Sequence, residues 1–344
     1  MDFSSDTSAP AHPKVLEALA RANTGMAASY GADSETAELE SRLKVLFETE
    51  ELAVWPVASG TAANALALAC FCPPTGAVLC HREAHIERDE RGAPEFFTHG
   101  GKLRLLEGAD GKIAPETLKP ALESMDPDFV HETPPAVLSL TNLTECGTLY
   151  TPEEIAELAR LAHAADLSVH LDGARFANAL AALGASPAET SWRAGADVMS
   201  FGLTKTGAIG CELIILFGPA SRRISDLKAR AKRAGHMPAK LRYISVQANA
   251  MLEDGLWLEL ADQANRQAAR LAEGLAEIPG AKLRHPVHGN ELFVHLPDAT
   301  AKALMAAGAR FYDWPEGGYR FVTSWSTPDA AVEDFLAALK RASN

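Results

Sequence analysis

The sequence predicts an α/β fold, a mostly parallel seven-stranded sheet covered by helices, and three observations predict it. Short apolar runs alternate with helical patterns through the first 220 or so residues. Those runs lack the strict apolar–polar alternation of a half-solvated strand, as strands covered on both faces do. The segments between them carry helix-start signals of their own.

The candidate strands, in order, are Leu52–Val57, Ala77–His81, Lys102–Leu106, Ala136–Thr141, Ser168–Asp172, Asp197–Gly202 and Glu212–Phe217. After the first, Ser59-Gly60-Thr61-Ala62-Ala63-Asn64 opens an Ala/Leu-rich helix. Thr151-Pro152-Glu153-Glu154 combines an N-cap Thr, Pro at the first helical position and a capping-box Glu. Ile155, Leu158, Ala159 and Ala162 then follow at helical spacing. Beyond about residue 220 the pattern changes. The basic stretch from Arg222 to Arg242 reads as a solvated helix face, and the apolar periodicity from Leu256 to Leu275 as a helix. Three strand-like pieces follow (Lys282–Arg284, Glu291–His295, Tyr319–Ser324), then a terminal helix ending near Leu339. We therefore expect a large α/β domain over residues 1–242 and a smaller α+β domain over 243–344.

A chain of 344 residues exceeds the usual single-domain size, in keeping with that division. Its 47% hydrophobic and 22% charged residues are ordinary for a soluble protein with a substantial core. A formal charge of −13 argues against nucleic acid or an anionic membrane as partner. No apolar run approaches the ~18 residues that span a bilayer, and Met1-Asp2-Phe3-Ser4-Ser5-Asp6 does not read as a signal peptide. The expected location is cytoplasmic. The five cysteines (Cys70, Cys72, Cys80, Cys146, Cys211) are odd in number, and Cys70-Phe71-Cys72 has the wrong spacing for a zinc knuckle. They are expected to be buried free thiols, with no metal site.

Lys205 carries the chemistry. It follows the apolar run ending at Gly202, in Leu203-Thr204-Lys205-Thr206-Gly207. An amine at the mouth of a buried strand, among small residues, suits a Schiff-base lysine. A lone loop lysine more commonly snorkels to water. What changes the reading is Ser168-Val169-His170-Leu171-Asp172-Gly173-Ala174-Arg175, which puts an acid at another strand end. Lysine for an aldehyde carbon and Asp172 for a pyridinium nitrogen are the pair that pyridoxal phosphate requires. Ser59-Gly60-Thr61 at a helix N-terminus offers backbone amides and partial positive charge to a phosphate. It is neither G-x-G-x-x-G nor a Walker A sequence, which weighs against dinucleotides and nucleoside triphosphates. His85 could stack on a cofactor ring or move protons; an exposed loop histidine is an equal reading from local sequence. Arg320, among aromatics in Gly318-Tyr319-Arg320-Phe321, has the planar fork that captures a carboxylate.

Together these pieces resemble the threonine aldolase family (low-specificity L-threonine and phenylserine aldolases), pyridoxal phosphate enzymes of the aspartate aminotransferase fold class, fold type I. The resemblance covers nearly the whole chain. It runs through Phe3-Ser4-Ser5-Asp6-Thr7, Tyr30-Gly31-Ala32-Asp33, Ser59 to Asn64, Ala84-His85, His170 to Arg175, Thr204-Lys205 and Arg320 to Thr323. It implies cleavage of L-threonine, L-allo-threonine and related β-hydroxy-α-amino acids to glycine and an aldehyde. It further implies that Lys205 carries the cofactor, that Asp172 holds its ring nitrogen protonated, that His85 stacks on the ring and that Arg175 supports the phenolate side. Ser59, Gly60, Thr61 and Thr204 would contact the phosphate. Ser5 and Arg320 would hold the substrate carboxylate, with the first 30 residues contributing to the site. Lys240 and Tyr30 would reach a neighbour's phosphate in a homodimer or homotetramer with shared active sites. One departure stands out. Many members carry a histidine after the fourth strand, but Asn142-Leu143-Thr144-Glu145-Cys146-Gly147 has none. The β-hydroxyl proton is then left to His85, Glu145 or a water. Rival readings are a β-eliminating lyase or aminotransferase on the same fold, or a non-catalytic cofactor-binding protein.

Overall fold

The computed structural model describes residues 1–124, 129–314 and 317–342. Its larger sheet contains β1 (Leu52–Val57), β2 (Ala77–His81), β3 (Lys102–Leu106), β4 (Pro135–Thr141), β5 (Ser168–Gly173), β6 (Val198–Gly202) and β7 (Glu212–Phe217). The spatial order is β1-β7-β6-β5-β4-β2-β3. The pairs from β3 through to β6 are parallel, whereas β7 runs antiparallel to both β6 and β1. Chain length explains the reversal. Only residues 203–211 join β6 to β7, too few for the crossover of a dozen or more that a parallel return needs. Lys205 sits in that short connection.

β1, β2, β6 and β7 are buried along their whole length. The helix Gly60–Phe71 is buried on nearly every side because Ala, Leu and Cys fill it, and it packs across β5, β6 and β7. Burying Leu66 and Leu68 within it contributes about 1.5–3 kcal/mol each. The expected capping box is present. Thr151 Oγ1 accepts from the Glu154 amide at 3.3 Å, and Glu154 Oε2 accepts from the Thr151 amide at 2.8 Å. The helix it starts, Pro152–Ala164, packs on β4 and β5.

The smaller sheet holds four antiparallel strands, one more than expected: β8 (Lys282–Leu283), β9 (Glu291–His295), β10 (Tyr312–Asp313) and β11 (Tyr319–Val322), in the order β10-β11-β9-β8. β10 has two residues, both exposed, so no alternation could betray it. It pairs Tyr312 with Arg320. β11 ends at Val322, although the Thr323 amide still donates to the Asn290 carbonyl in line with the register to β9.

Phe3 packs edge-on against Phe335 at 5.2 Å, within the aromatic cluster of this smaller sheet. The Phe3 amide donates to the Arg310 carbonyl, and the Val322 amide to the Phe3 carbonyl, both at 2.8 Å. The chain start is thus clamped beside β11, and Ser5 to Thr7 lie where the two sheets meet. The long helix Leu256–Ala276 gives Trp257 and Leu260 to the main core and Leu271 and Leu275 to the smaller one.

Candidate active site

The loops after β2, β4, β5 and β6 converge, as parallel strands bring their C-terminal ends to one side. Two glycines let the strand ends approach. A Cβ on Gly173 would lie 2.8 Å from the Ser200 carbonyl oxygen, and one on Gly202 would lie 2.6 Å from that of Ala174. Either side chain would push apart the strands that carry Asp172 and Lys205.

A cavity of about 490 Å³ opens here, with Ser5, His85, Glu145, Arg175, Lys205 and Arg320 among its walls. Asp172 is buried; its Oδ1 accepts from the Ala174 amide at 3.0 Å and its Oδ2 from Asn64 Nδ2 at 2.8 Å. The same Asn64 nitrogen donates to Glu90 Oε1 at 2.8 Å, and Glu90 Oε1 lies 2.8 Å from His85 Nδ1. A continuous chain therefore joins the strand-end acid to the cavity histidine. Burial works against a charged His85 ring, yet the Glu90 hydrogen bond and the charges of Asp172 and Glu90 outweigh it and raise its pKa.

Arg175 is held on both sides by buried acids. Its Nε donates to Asp6 Oδ2 at 2.7 Å and its Nη2 to Asp6 Oδ1 at 3.1 Å, while Nη1 lies 3.0 Å from Glu291 Oε2. Burial alone would raise Asp6; Arg175, Lys205 and the hydrogen bonds from Arg175 and Asn290 lower it instead. In Glu291 burial prevails, and its pKa is raised. Arg320 makes no ion pair among the described residues. Its guanidinium carbon stands 5.3 Å from the Trp314 ring centroid and 5.7 Å from that of Tyr312.

Glu145 is half-buried as a residue, with its Oε2 wholly buried. Desolvation, then the nearby Asp172 charge, push its carboxyl up to about 7. Glu212, behind Thr204 and Lys205, is also raised by burial to about 7.

The remaining expected residues lie outside the walls of this cavity. Ser59 caps its helix, its Oγ accepting from the Ala62 amide at 3.3 Å. A Cβ on Gly60 would meet nothing within 4 Å, so the helix N-terminus that Gly60 and Thr61 form faces open space. Thr204, next to Lys205, accepts from the Cys211 amide at 3.0 Å. Lys240 and Tyr30 are exposed neighbours on the surface, where the Tyr30 amide donates to the Ala239 carbonyl. All five cysteines are free, but Cys146 is only half-buried and so departs from the expected burial.

Buried polar atoms without a partner gather at this site: Asn64 Oδ1, Glu90 Oε2, Glu145 Oε2 and Arg320 Nε. Of these, Glu145 and Arg320 line the cavity, and at about 1–3 kcal/mol for each unpartnered atom the cavity suits a polar occupant. An aromatic aldehyde bearing a phosphate fits this donor set. It would find an amine, a strand-end carboxylate and an open helix N-terminus.

Sequence reading missed Glu90, the bridging role of Asn64, Glu291 and Trp314. Glu90 lies in a run of mixed charge, Glu87-Arg88-Asp89-Glu90-Arg91, that reads as solvated. Only its packing under His85 separates it from Glu87 and Asp89.

A family model for beta-eliminating lyases matches residues 2–299. The chain is 42% identical over 341 residues to a low specificity L-threonine aldolase of Pseudomonas aeruginosa, covering 98% of this chain and 96% of that one. A threonine aldolase structure from Leishmania major superposes with a TM-score of 0.92 at 29% identity, covering 100% of this chain and 99% of the other. The aspartate aminotransferase of Thermus thermophilus shares the fold, at a TM-score of 0.73 and 19% identity over 99% of this chain and 91% of that one.

Proposed function

This chain belongs to the beta-eliminating lyase family, and from that premise we propose that it is a pyridoxal-phosphate-dependent carbon–carbon lyase of the threonine aldolase type. Its substrates are L-threonine, L-allo-threonine and related β-hydroxy-α-amino acids, and its products glycine and an aldehyde. The observation that carries this reading is one cavity in which an amine, Lys205, faces a guanidinium free of any ion pair among the described residues, Arg320. That pairing suits an α-amino acid held by its carboxylate.

Bound pyridoxal phosphate supplies the electron sink for the pair left on Cα when Cα–Cβ breaks. Lys205 holds the cofactor through its amine. Asp172, fixed by Asn64 and the Ala174 amide, keeps the ring nitrogen protonated. Ser59, Gly60, Thr61 and Thr204 receive the phosphate at the helix N-terminus. His85 presents its ring to the cofactor face, with its Nδ1 tied to Glu90. Arg175, locked between Asp6 and Glu291, presents fixed positive charge to the ring's oxygen. Ser5 and Arg320 hold the α-carboxylate. They thereby select the bond that breaks, because anchoring the carboxylate orients Cα–Cβ for cleavage.

The proposal includes a homodimer or homotetramer in which exposed Lys240 and Tyr30 reach a neighbour's phosphate. It includes a cytoplasmic location, supported by five free cysteines and by no described helix being long and apolar enough to cross a membrane. It also assigns cofactor binding to residues 1–242 and the smaller unit to 243–344, a division supported by the two separate sheets.

The test is a product assay on L-threonine with added cofactor and no keto acid. Equal glycine and acetaldehyde support the proposal. Keto acid plus ammonia would replace it with β-elimination, and dependence on an added keto acid with transamination.

A further inference from the structure

We propose that Glu145 is the catalytic base for the β-hydroxyl. The inference rests on the aldolase reading and assigns the one group it leaves open.

The geometry singles out one oxygen. Glu145 Oε1 accepts from the His85 amide at 2.6 Å and from Thr141 Oγ1 at 3.1 Å. Two donors on one oxygen pin the carboxyl. Oε2 is left buried and without a partner, on the wall of the cavity that also holds Lys205 and Arg320. The same residue lines a second cavity of about 270 Å³, so Glu145 stands between the two spaces. A buried carboxylate oxygen with no donor is costly unless an O–H is brought to it.

The alternatives are less suited. His85 has Nδ1 committed to Glu90, and that acid stabilises its cationic form. Asp89, the other carboxylate shared by both cavities, is exposed to water. The titratable groups that face Glu145 are His85, Asp172, Arg175, Cys80, Cys146 and Tyr150. Burial and Asp172 raise it to about 7 and His85 opposes them. A base is most effective with its pKa near the working pH.

The step balances without another reactant. Glu145 Oε2 takes the proton from the β-hydroxyl, and the O–H pair becomes the carbonyl π bond of the aldehyde. The Cα–Cβ pair stays with the glycine carbon. The proton that Glu145 took is matched by the one that carbon receives, so amino acid in equals aldehyde plus glycine out.

The test uses the cofactor-loaded wild type and Glu145→Gln, which keeps the Oε1 acceptor and the side-chain shape. Two reactions are compared: acetaldehyde release from L-threonine, and exchange of the glycine α-proton in heavy water. The second needs the cofactor, Lys205 and Arg320 but no β-hydroxyl base. The expected result is a loss of about 10²–10⁴-fold in acetaldehyde release, with glycine exchange within about fivefold of wild type. Acetaldehyde release within about fivefold of wild type would overturn the assignment. So would an equal fall in both reactions, which would make Glu145 a support for His85. Should the variant fail to bind cofactor, the wild-type pH profiles decide. A rise through pH ~7 in acetaldehyde release alone supports the assignment, and a rise shared by both reactions, or absent, overturns it. A wild type that releases no acetaldehyde would instead defeat the aldolase reading itself.

Discussion

Arg320→Ala separates a substrate-binding arginine from a structural one, because the two roles predict opposite balances of activity and stability. Arg320 forms no ion pair among the described residues, and its Nε is buried without a partner. It lies over the faces of Trp314 and Tyr312, at 5.3 and 5.7 Å, and its charge also acts on the buried Glu291 carboxyl, against the rise in pKa that burial causes there. Two such cation–π contacts are worth about 0.5–1 kcal/mol each near the surface. Removing the side chain also relieves the unpartnered Nε, so the loss of stability should stay near 1 kcal/mol. The catalytic loss should be larger. A charge-assisted contact to a carboxylate is worth about 1.5–3 kcal/mol, and misorientation of Cα–Cβ adds to it. A combined 2–4 kcal/mol corresponds to a fall of about 30- to 1,000-fold in kcat/KM. The assay is acetaldehyde release from L-threonine beside urea denaturation of the same preparations. The cofactor absorbance should remain, and Arg320→Lys should recover activity only in part, since a point charge does not reproduce the fork. A variant that unfolds several kcal/mol more easily but cleaves at wild-type kcat/KM would refute the reasoning.

Three further outcomes are expected. Borohydride should bleach the absorbance of the bound cofactor, and peptide mapping should find the label on Lys205; a label on Lys14 or Lys44 would end the reading. Asp172→Asn should keep the fold, as Asn is nearly isosteric. It should lower turnover about a thousandfold if ~4 kcal/mol of transition-state stabilisation is lost; a change of only a fewfold would mean that Asp172 does not face the cofactor. Asp6→Asn should destabilise the protein by about 3 kcal/mol at pH 7, because it removes one acid from a buried ion pair but leaves Glu291 beside Arg175. Asp6 is held below its ordinary 3.8 in the folded protein. Its contribution is therefore present above pH ~4 and lost as pH falls further. Denaturation curves of wild type and variant should converge below pH 4. A gap that stays constant to pH 2 would contradict this.

Much of the site was legible because its residues are tied to local rules. A parallel sheet puts the strand C-termini on one side, so Asp172, His85 and the loop after β6 had to converge once their strands were recognised. The β6–β7 connection is short enough to fix where Lys205 lies. Capping chemistry at Ser59 and Thr151 is read within four residues, and the structure keeps both caps.

Tertiary structure alone decided the pairings across long stretches of chain. Asp6 meets Arg175 across 169 residues, and Asn64 bridges Glu90 and Asp172 across 26 and 108. No period or turn signal encodes such contacts. They arise because burying a charge is tolerable only where packing brings a partner to it. The same holds for Glu145. Its sequence neighbours say only that a histidine is missing, and it takes the folded chain to pin one oxygen on His85 and Thr141 and leave the other bare. The sequence by itself determined which strands form the sheet and which of their ends come to one side, since hydrophobic patterning and caps act over a few residues. Which acids fall silent as structural partners and which face the cavity was decided only by the fold, since desolvation depends on everything packed around a group.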